Sequence, residues 1–213
     1  MAVAERARSA ADLGTQAGEA TTEQAAVGVK RSDAGDEYAG ELHHGEMHGY
    51  GVYQWVAGQR YEGEWVEGRR PGNGVLVSAR GEVYEGAWEA DQRQGEGALR
   101  KSNGDMYYGS WVGNKPDGEG CLQNADGVYD GFFKEGKKCG FGCYKNSKGG
   151  LYEGDFLNNM KHGTGVFWYA SGSVYEGGWE KDEKHGKGKI WYPNGRVIVG
   201  EWKNGRDVSI VNK

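Results

Sequence analysis

Residues 151–166 read Leu-Tyr-Glu-Gly-Asp-Phe-Leu-Asn-Asn-Met-Lys-His-Gly-Thr-Gly-Val. The pair Asn158-Asn159 decides how this stretch folds. Asn tolerates positive φ, which both central residues of a two-residue type I′ hairpin turn require. Folding the chain on that pair sets Leu157 opposite Met160 and Phe156 opposite Lys161. A regular ladder continues with Gly154 opposite Gly163 and Tyr152 opposite Gly165. Side chains alternate faces along a strand, so Tyr152, Gly154, Phe156, Gly163 and Gly165 share one face. Glu153, Asp155, His162 and Thr164 share the other. Each ring then lies across bare glycine backbone and shields it from water. A larger residue at Gly163 is expected to lift the rings.

The same pattern recurs along the chain. Tyr-x-Gly-x-aromatic starts at Tyr38, Tyr61, Tyr84, Tyr107, Tyr129, Tyr152 and Tyr175, with a degenerate copy from Ile198. The steps are 23 residues, with one of 22 between Tyr107 and Tyr129. A Gly-x-Gly follows each of the first seven starts, at Gly49, Gly72, Gly95, Gly118, Gly140, Gly163 and Gly186. Each copy has a turn pair whose second member is Gly, Asn or Asp, from His44-Gly45 to Asn204-Gly205. A glycine three residues before the next tyrosine, as at Gly58 and Gly172, predicts a three-residue loop ending in a left-handed residue. That loop places Tyr169 opposite Ser173 and Phe167 opposite Tyr175. At the 22-residue step, Asp126-Gly127 is expected to form a two-residue turn with Asn124 opposite Tyr129, sliding the pairing by two. Periods of this length mark repeat architectures. The reading is an all-β chain: a single elongated antiparallel meander of about eight tandem 23-residue β-hairpins over residues 37–213. Residues 1–36 carry no aromatic residue before the first repeat. They read as a flexible tail, with a short helix expected over Ala2 to Leu13.

Composition agrees with one layer rather than a globule. There are 40 glycines, 13 Tyr and 8 Trp, but only 37% of residues are hydrophobic. That is too little aliphatic material for a two-layer core. A net charge of −5 argues against nucleic acid as partner, because such proteins carry a basic stripe. Three cysteines, Cys121, Cys139 and Cys143, give no paired framework and point to a reducing compartment. No apolar run is long enough to span a membrane as a helix.

The repeat resembles the MORN repeat (membrane occupation and recognition nexus), with a pattern close to YEGEWxxGKxHGxG. The copy at 151–166 matches almost throughout. Departures exist: the His before Gly-x-Gly survives only as His48, His162 and His185, Leu42 replaces the first Trp, and Ile198 replaces the last Tyr. The resemblance implies an elongated hairpin stack acting in protein assembly. Among family members it is most similar to the small radial spoke head proteins of motile cilia and flagella. That implies a cytoplasmic, axonemal location.

No enzyme is expected. Each Gly-x-Gly lies within a strand, whereas a phosphate-cradling loop needs a helix N-terminus or an amide nest. The cysteines lack a fourth ligand at zinc spacing, and Asp155 with His162 reads as cross-strand pairing. No metal and no cofactor is therefore expected. The expected function is a non-enzymatic protein–protein scaffold. The alternatives are a peripheral adaptor for acidic phospholipids, and a regulatory module of a lipid kinase. A single layer leaves its aromatic face open, so that face is expected to bind partners. The residues are Tyr61, Trp65, Tyr84, Trp88, Tyr107, Trp111, Tyr129, Phe133, Tyr152, Phe156, Tyr175, Trp179 and Trp202. The two sheet edges are expected to serve assembly, as a homodimer or within a larger complex.

Overall fold

The computed structural model describes residues 26–209. Among them there is no helix, and seventeen strands form one sheet. The strands are β1 (Ala26–Arg31), β2 (Glu37–His43), β3 (Glu46–Gln54), β4 (Arg60–Trp65), β5 (Gly72–Val77) and β6 (Val83–Glu89). Then come β7 (Gln92–Arg100), β8 (Met106–Val112), β9 (Lys115–Asn124), β10 (Gly127–Lys134), β11 (Lys137–Asn146) and β12 (Leu151–Leu157). The last are β13 (Met160–Trp168), β14 (Val174–Glu180), β15 (Glu183–Trp191), β16 (Val197–Lys203) and β17 (Arg206–Asp207). Each strand pairs antiparallel with its neighbours in sequence, so the sheet is an open meander.

Both turn types appear as the sequence predicts. All eight hairpin pairs have positive φ at both residues, for example Asn158 at 51° and Asn159 at 73°. At the three-residue loops Tyr169 N–H donates to Ser173 C=O (2.8 Å), and Gly172 is left-handed at φ 85°. Phe167 pairs with Tyr175.

The register within the hairpin is a correction. Leu157 pairs with Met160 and Phe156 with Lys161, but Gly154 then pairs with Gly165 and Tyr152 with Phe167. One residue, Asp155, lies opposite three, His162, Gly163 and Thr164. This bulge requires a left-handed residue, and Gly163 supplies it at φ 58°. A Cβ at Gly163 would meet the Asp155 carboxylate, not the rings. The second glycine of the motif, Gly165, lies under the Tyr152 ring: a Cβ there would sit 2.6 Å from ring atoms Cε2 and Cζ.

The 22-residue step is a second correction. Asn124 pairs with Gly127 and Leu122 with Tyr129, so the turn residues are Ala125 and Asp126. The loop shortens by one residue and the inter-repeat register is kept. A one-residue slip would turn every ring to the wrong face, and the loop absorbs the deletion more cheaply.

The N-terminal boundary also moves. β1 lies inside the segment set apart as a tail and pairs along its whole length with β2. Its sequence, Ala-Val-Gly-Val-Lys-Arg, has no aromatic residue, so the repeat signature does not reveal it. The helix expected over Ala2 to Leu13 lies outside the described residues.

Candidate protein-interaction surface

The thirteen aromatic residues named above all fall on one face, and all are buried, none more than 6% exposed. The aromatic face is therefore closed rather than open as expected. Three features seal it. First, the rings interlock. From Tyr61 to Tyr175 each tyrosine meets the aromatic residue of its own repeat and that of the next edge-on, and Tyr38, whose own repeat carries Leu42, meets Trp65. Centroid spacings run from 4.9 Å at Tyr129–Phe156 to 5.7 Å at Tyr38–Trp65. Edge-to-face pairs contribute about 0.5–1.5 kcal/mol each beyond burial, so the chain of rings couples every repeat to the next.

Second, the polar atoms of the rings are satisfied by the bulge and the glycines. Tyr152 Oη donates to Asp155 C=O (3.0 Å), the carbonyl at the register shift, and Tyr38, Tyr84, Tyr107 and Tyr175 repeat this bond. Trp65, Trp88, Trp111 and Trp179 Nε1–H donate back to the glycine carbonyls of Gly51, Gly74, Gly97 and Gly165, at 3.1–3.2 Å. Burial raises the phenols of Tyr61, Tyr84 and Tyr175 to about 12, because the charged form loses its hydration.

Third, a row of cations roofs the rings. Arg70 lies 4.7 Å over the Trp88 ring, Arg93 4.5 Å over Trp111, and Lys161 4.9 Å over Trp179. The turn of the following repeat holds each in place. Arg70 Nε donates to Asp91 Oδ1 (2.8 Å), and Lys161 N–H to Asp182 Oδ1 (2.9 Å). Burial lowers the pKa of Lys138 and Lys161. The aliphatic stems cover apolar surface while the charge sits over a π face. The rings and stems together do the work of a second layer.

The opposite face has no such roof. A row across it runs Val52, Glu62, Val75, Glu85, Ala98, Tyr108, Cys121, Asp130, Cys143, Glu153, Val166 and Glu176, each the register partner of the next. Acidic and small apolar residues alternate in it. At mid-sheet the pattern breaks: Tyr108 is 65% exposed and Phe141 61%, with Phe132 exposed beside them. A depression of about 380 Å³ opens next to Tyr108, bordered by Val83, Ala98, Met106 and Cys121. Burial pushes the thiols of Cys121 and Cys143 up, so neither is an activated nucleophile. Sequence reasoning passed over these aromatics. Their signal was the departure itself: Tyr108, Phe132 and Phe141 stand at variable x positions of the motif, where most other copies carry polar or small residues and only Tyr50, 49% exposed in the first Gly-x-Gly, is also aromatic.

Among the described residues no group of three or more His, Cys, Asp or Glu side chains is arranged to hold a metal ion. What this face offers chemically is shape, carboxylates and exposed rings.

The sequence profile of the MORN repeat matches residues 38–60, 61–83, 84–106, 107–128, 129–151, 152–174 and 175–195. No curated protein matches this chain. Among solved structures, the chain is similar to the TCP domain of SAS-4 (dCPAP) from Drosophila melanogaster, in complex with a proline-rich motif of Ana2 (dSTIL). Identity is 13%, coverage 73% of this chain and 85% of that one, and the TM-score 0.44. It is also similar to the TCP10 domain of CPAP from Danio rerio: 14% identity, 81% and 82% coverage, TM-score 0.45. Neither overlays this chain closely.

Proposed function

The chain belongs to the MORN-repeat family, and from that premise we propose that it is a non-enzymatic protein-interaction scaffold and a structural subunit of the ciliary or flagellar axoneme, at the radial spoke head. One observation carries the interaction reading. The face opposite the sealed core is open along the sheet, and its central strands present Tyr108, Phe132 and Phe141 to solvent. Exposed aromatic patches framed by polar residues mark protein interfaces. The carboxylates of Glu62, Glu85, Asp130, Glu153 and Glu176 on the same face repel an anionic lipid surface, which favours a protein partner over a membrane. The axonemal location rests on the resemblance of a nearly all-repeat chain to small spoke-head proteins.

Fractionation of motile cilia tests this reading. The protein is expected to stay with the demembranated axoneme and to co-purify with spoke heads at fixed stoichiometry. Release with the detergent-soluble membrane fraction, joined by salt-sensitive sedimentation with phosphoinositide vesicles, would establish the membrane adaptor instead.

A further inference from the structure

The two ends of the sheet are complementary halves of one repeat. β1 has the pairing of a repeat's second strand. Gly28 pairs with Gly40 as Gly51 pairs with Gly63, Val29 with Ala39 as Val52 with Glu62, and Lys30 with Tyr38 as Tyr53 with Tyr61. The connection that follows is also the inter-repeat loop: Ser32 N–H donates to Asp36 C=O (2.9 Å) and Gly35 is left-handed at φ 91°, as Trp55, Gln59 and Gly58 do one repeat later. β1 is thus a second strand with no first strand among the described residues. β16 is the reverse. It carries Ile198, Gly200 and Trp202 at the motif's first, third and fifth positions, and its partner β17 spans two residues. Among the described residues, the outer side of β1 and the outer side of Val197–Gly200 have no partner strand.

We propose that a second copy of this chain supplies the missing half, with β16 of one copy pairing to β1 of the next, head to tail. The register follows from the hairpins within the chain. Tyr175 with Ile190, Glu176 with Lys189 and Gly177 with Gly188 become Ile198 with Lys30, Val199 with Val29 and Gly200 with Gly28. The hydrogen-bonding directions agree. In an antiparallel strand alternate residues point their amides to opposite sides. The Ser32–Asp36 bond directs Gly28 and Lys30 toward β2, so Val27, Val29 and Arg31 point outward. On β16, Glu201 C=O accepts Val208 N–H (2.8 Å) from outside, so Val197 and Val199 also point outward. The side chains agree as well. Val29 is 60% exposed and Val199 74%, both on the face opposite the rings, and the junction makes them cross-strand neighbours. Because the two contacting edges differ, the association is heterologous and does not close with two copies.

Two edge variants test it in the full chain. Val29→Pro and Val199→Pro each remove an outward-pointing amide and leave the bonds to β2 and β15 in place; edge strands accept proline there. Analytical ultracentrifugation is expected to show wild-type mass rising with concentration above the 23.3 kDa chain. Each variant alone is expected to remain a monomer, because each lacks one half of the junction. Mixed in equal amounts, they are expected to form a heterodimer that grows no further, since the one intact edge of each is used in the junction and both free ends carry proline. A wild type that stays monomeric throughout overturns the proposal; this is also the result if flanking residues of the same chain cover the edges. One variant that still self-associates overturns it in favour of a symmetric contact through a single edge. Val29→Lys, which keeps every amide, guards against proline damage: with unchanged circular dichroism and melting, it should weaken association at least about tenfold. An unchanged association by this variant counts against the junction.

Discussion

Gly188→Ala tests the packing of ring on glycine most sharply. Gly188 is not among the left-handed residues, so alanine suffers no backbone penalty there, and in a strand it gains about 0.5–1 kcal/mol over glycine. The new methyl would, however, lie 2.6 Å from Tyr175 Oη, 2.7 Å from Cε2 and 2.8 Å from Cζ. Comfortable carbon contacts are at about 3.5–4.0 Å, so the ring must retreat by about an ångström. It is held by a 2.9 Å bond from Oη to Gly178 C=O and by edge contacts with Trp179 at 5.3 Å and Trp202 at 5.2 Å. Overpacking costs about 1–3 kcal/mol, and a buried hydroxyl without its partner about 1–3 kcal/mol. The net loss is about 2–4 kcal/mol. Gly186→Ala in the same strand is the control. Gly186 has φ 65° and no atom within 4 Å of its would-be Cβ, so only the left-handed penalty of about 1–2 kcal/mol applies. Urea unfolding read by tryptophan fluorescence gives both values. In a Tyr175→Ala background the ring is gone, and Gly188→Ala should become neutral or stabilising. If Gly188→Ala costs no more than Gly186→Ala, or its cost persists without the Tyr175 ring, the reasoning fails.

Further outcomes follow from the same geometry. Trp111→Phe deletes the 3.1 Å bond to Gly97 C=O and should cost about 0.5–1.5 kcal/mol in the same urea assay. Asp155→Ala leaves Thr164 N–H, now 2.9 Å from Oδ2, without its acceptor, and should cost about 1 kcal/mol. High pH should unfold the sheet. The buried phenols have folded pKa values raised above the unfolded 10, so their contribution is intact below pH 10. It is lost as pH rises toward about 12, at about 1.4 kcal/mol per pH unit for each tyrosine. A melting temperature that does not fall between pH 10 and 12 would contradict this.

Turns and loops were legible because their chemistry is local. Asn158-Asn159 and Gly172 announce positive φ in the residues themselves. The bulge was not legible from face alternation, because the offset pairing returns Gly165 to the ring face and the pattern looks regular on both sides. A glycine recurring within a strand was the available clue, since it often marks a bulge. β1 was hidden because its four central residues, Val27 to Lys30, reproduce only the backbone role of a repeat's second strand. The closure of the ring face was hidden for a different reason. Burial of Trp88 or Trp179 depends on Arg70 and Lys161 of the preceding repeat and on the ring of the neighbouring tyrosine. None of this shows within a single 23-residue window. The alternation does put Tyr108 and Phe141 on the opposite face, at variable positions of the motif that are free to differ.

The most direct test of the account is capture of partners by the full chain carrying Tyr108→Glu and Phe141→Glu together, compared with wild type. Both side chains are exposed, so the variant should melt with the wild type. The account predicts that wild type recovers a defined set of axonemal proteins at fixed stoichiometry and that the double variant loses them. A double variant that melts normally and recovers the same proteins in the same yield would contradict the assignment of this face.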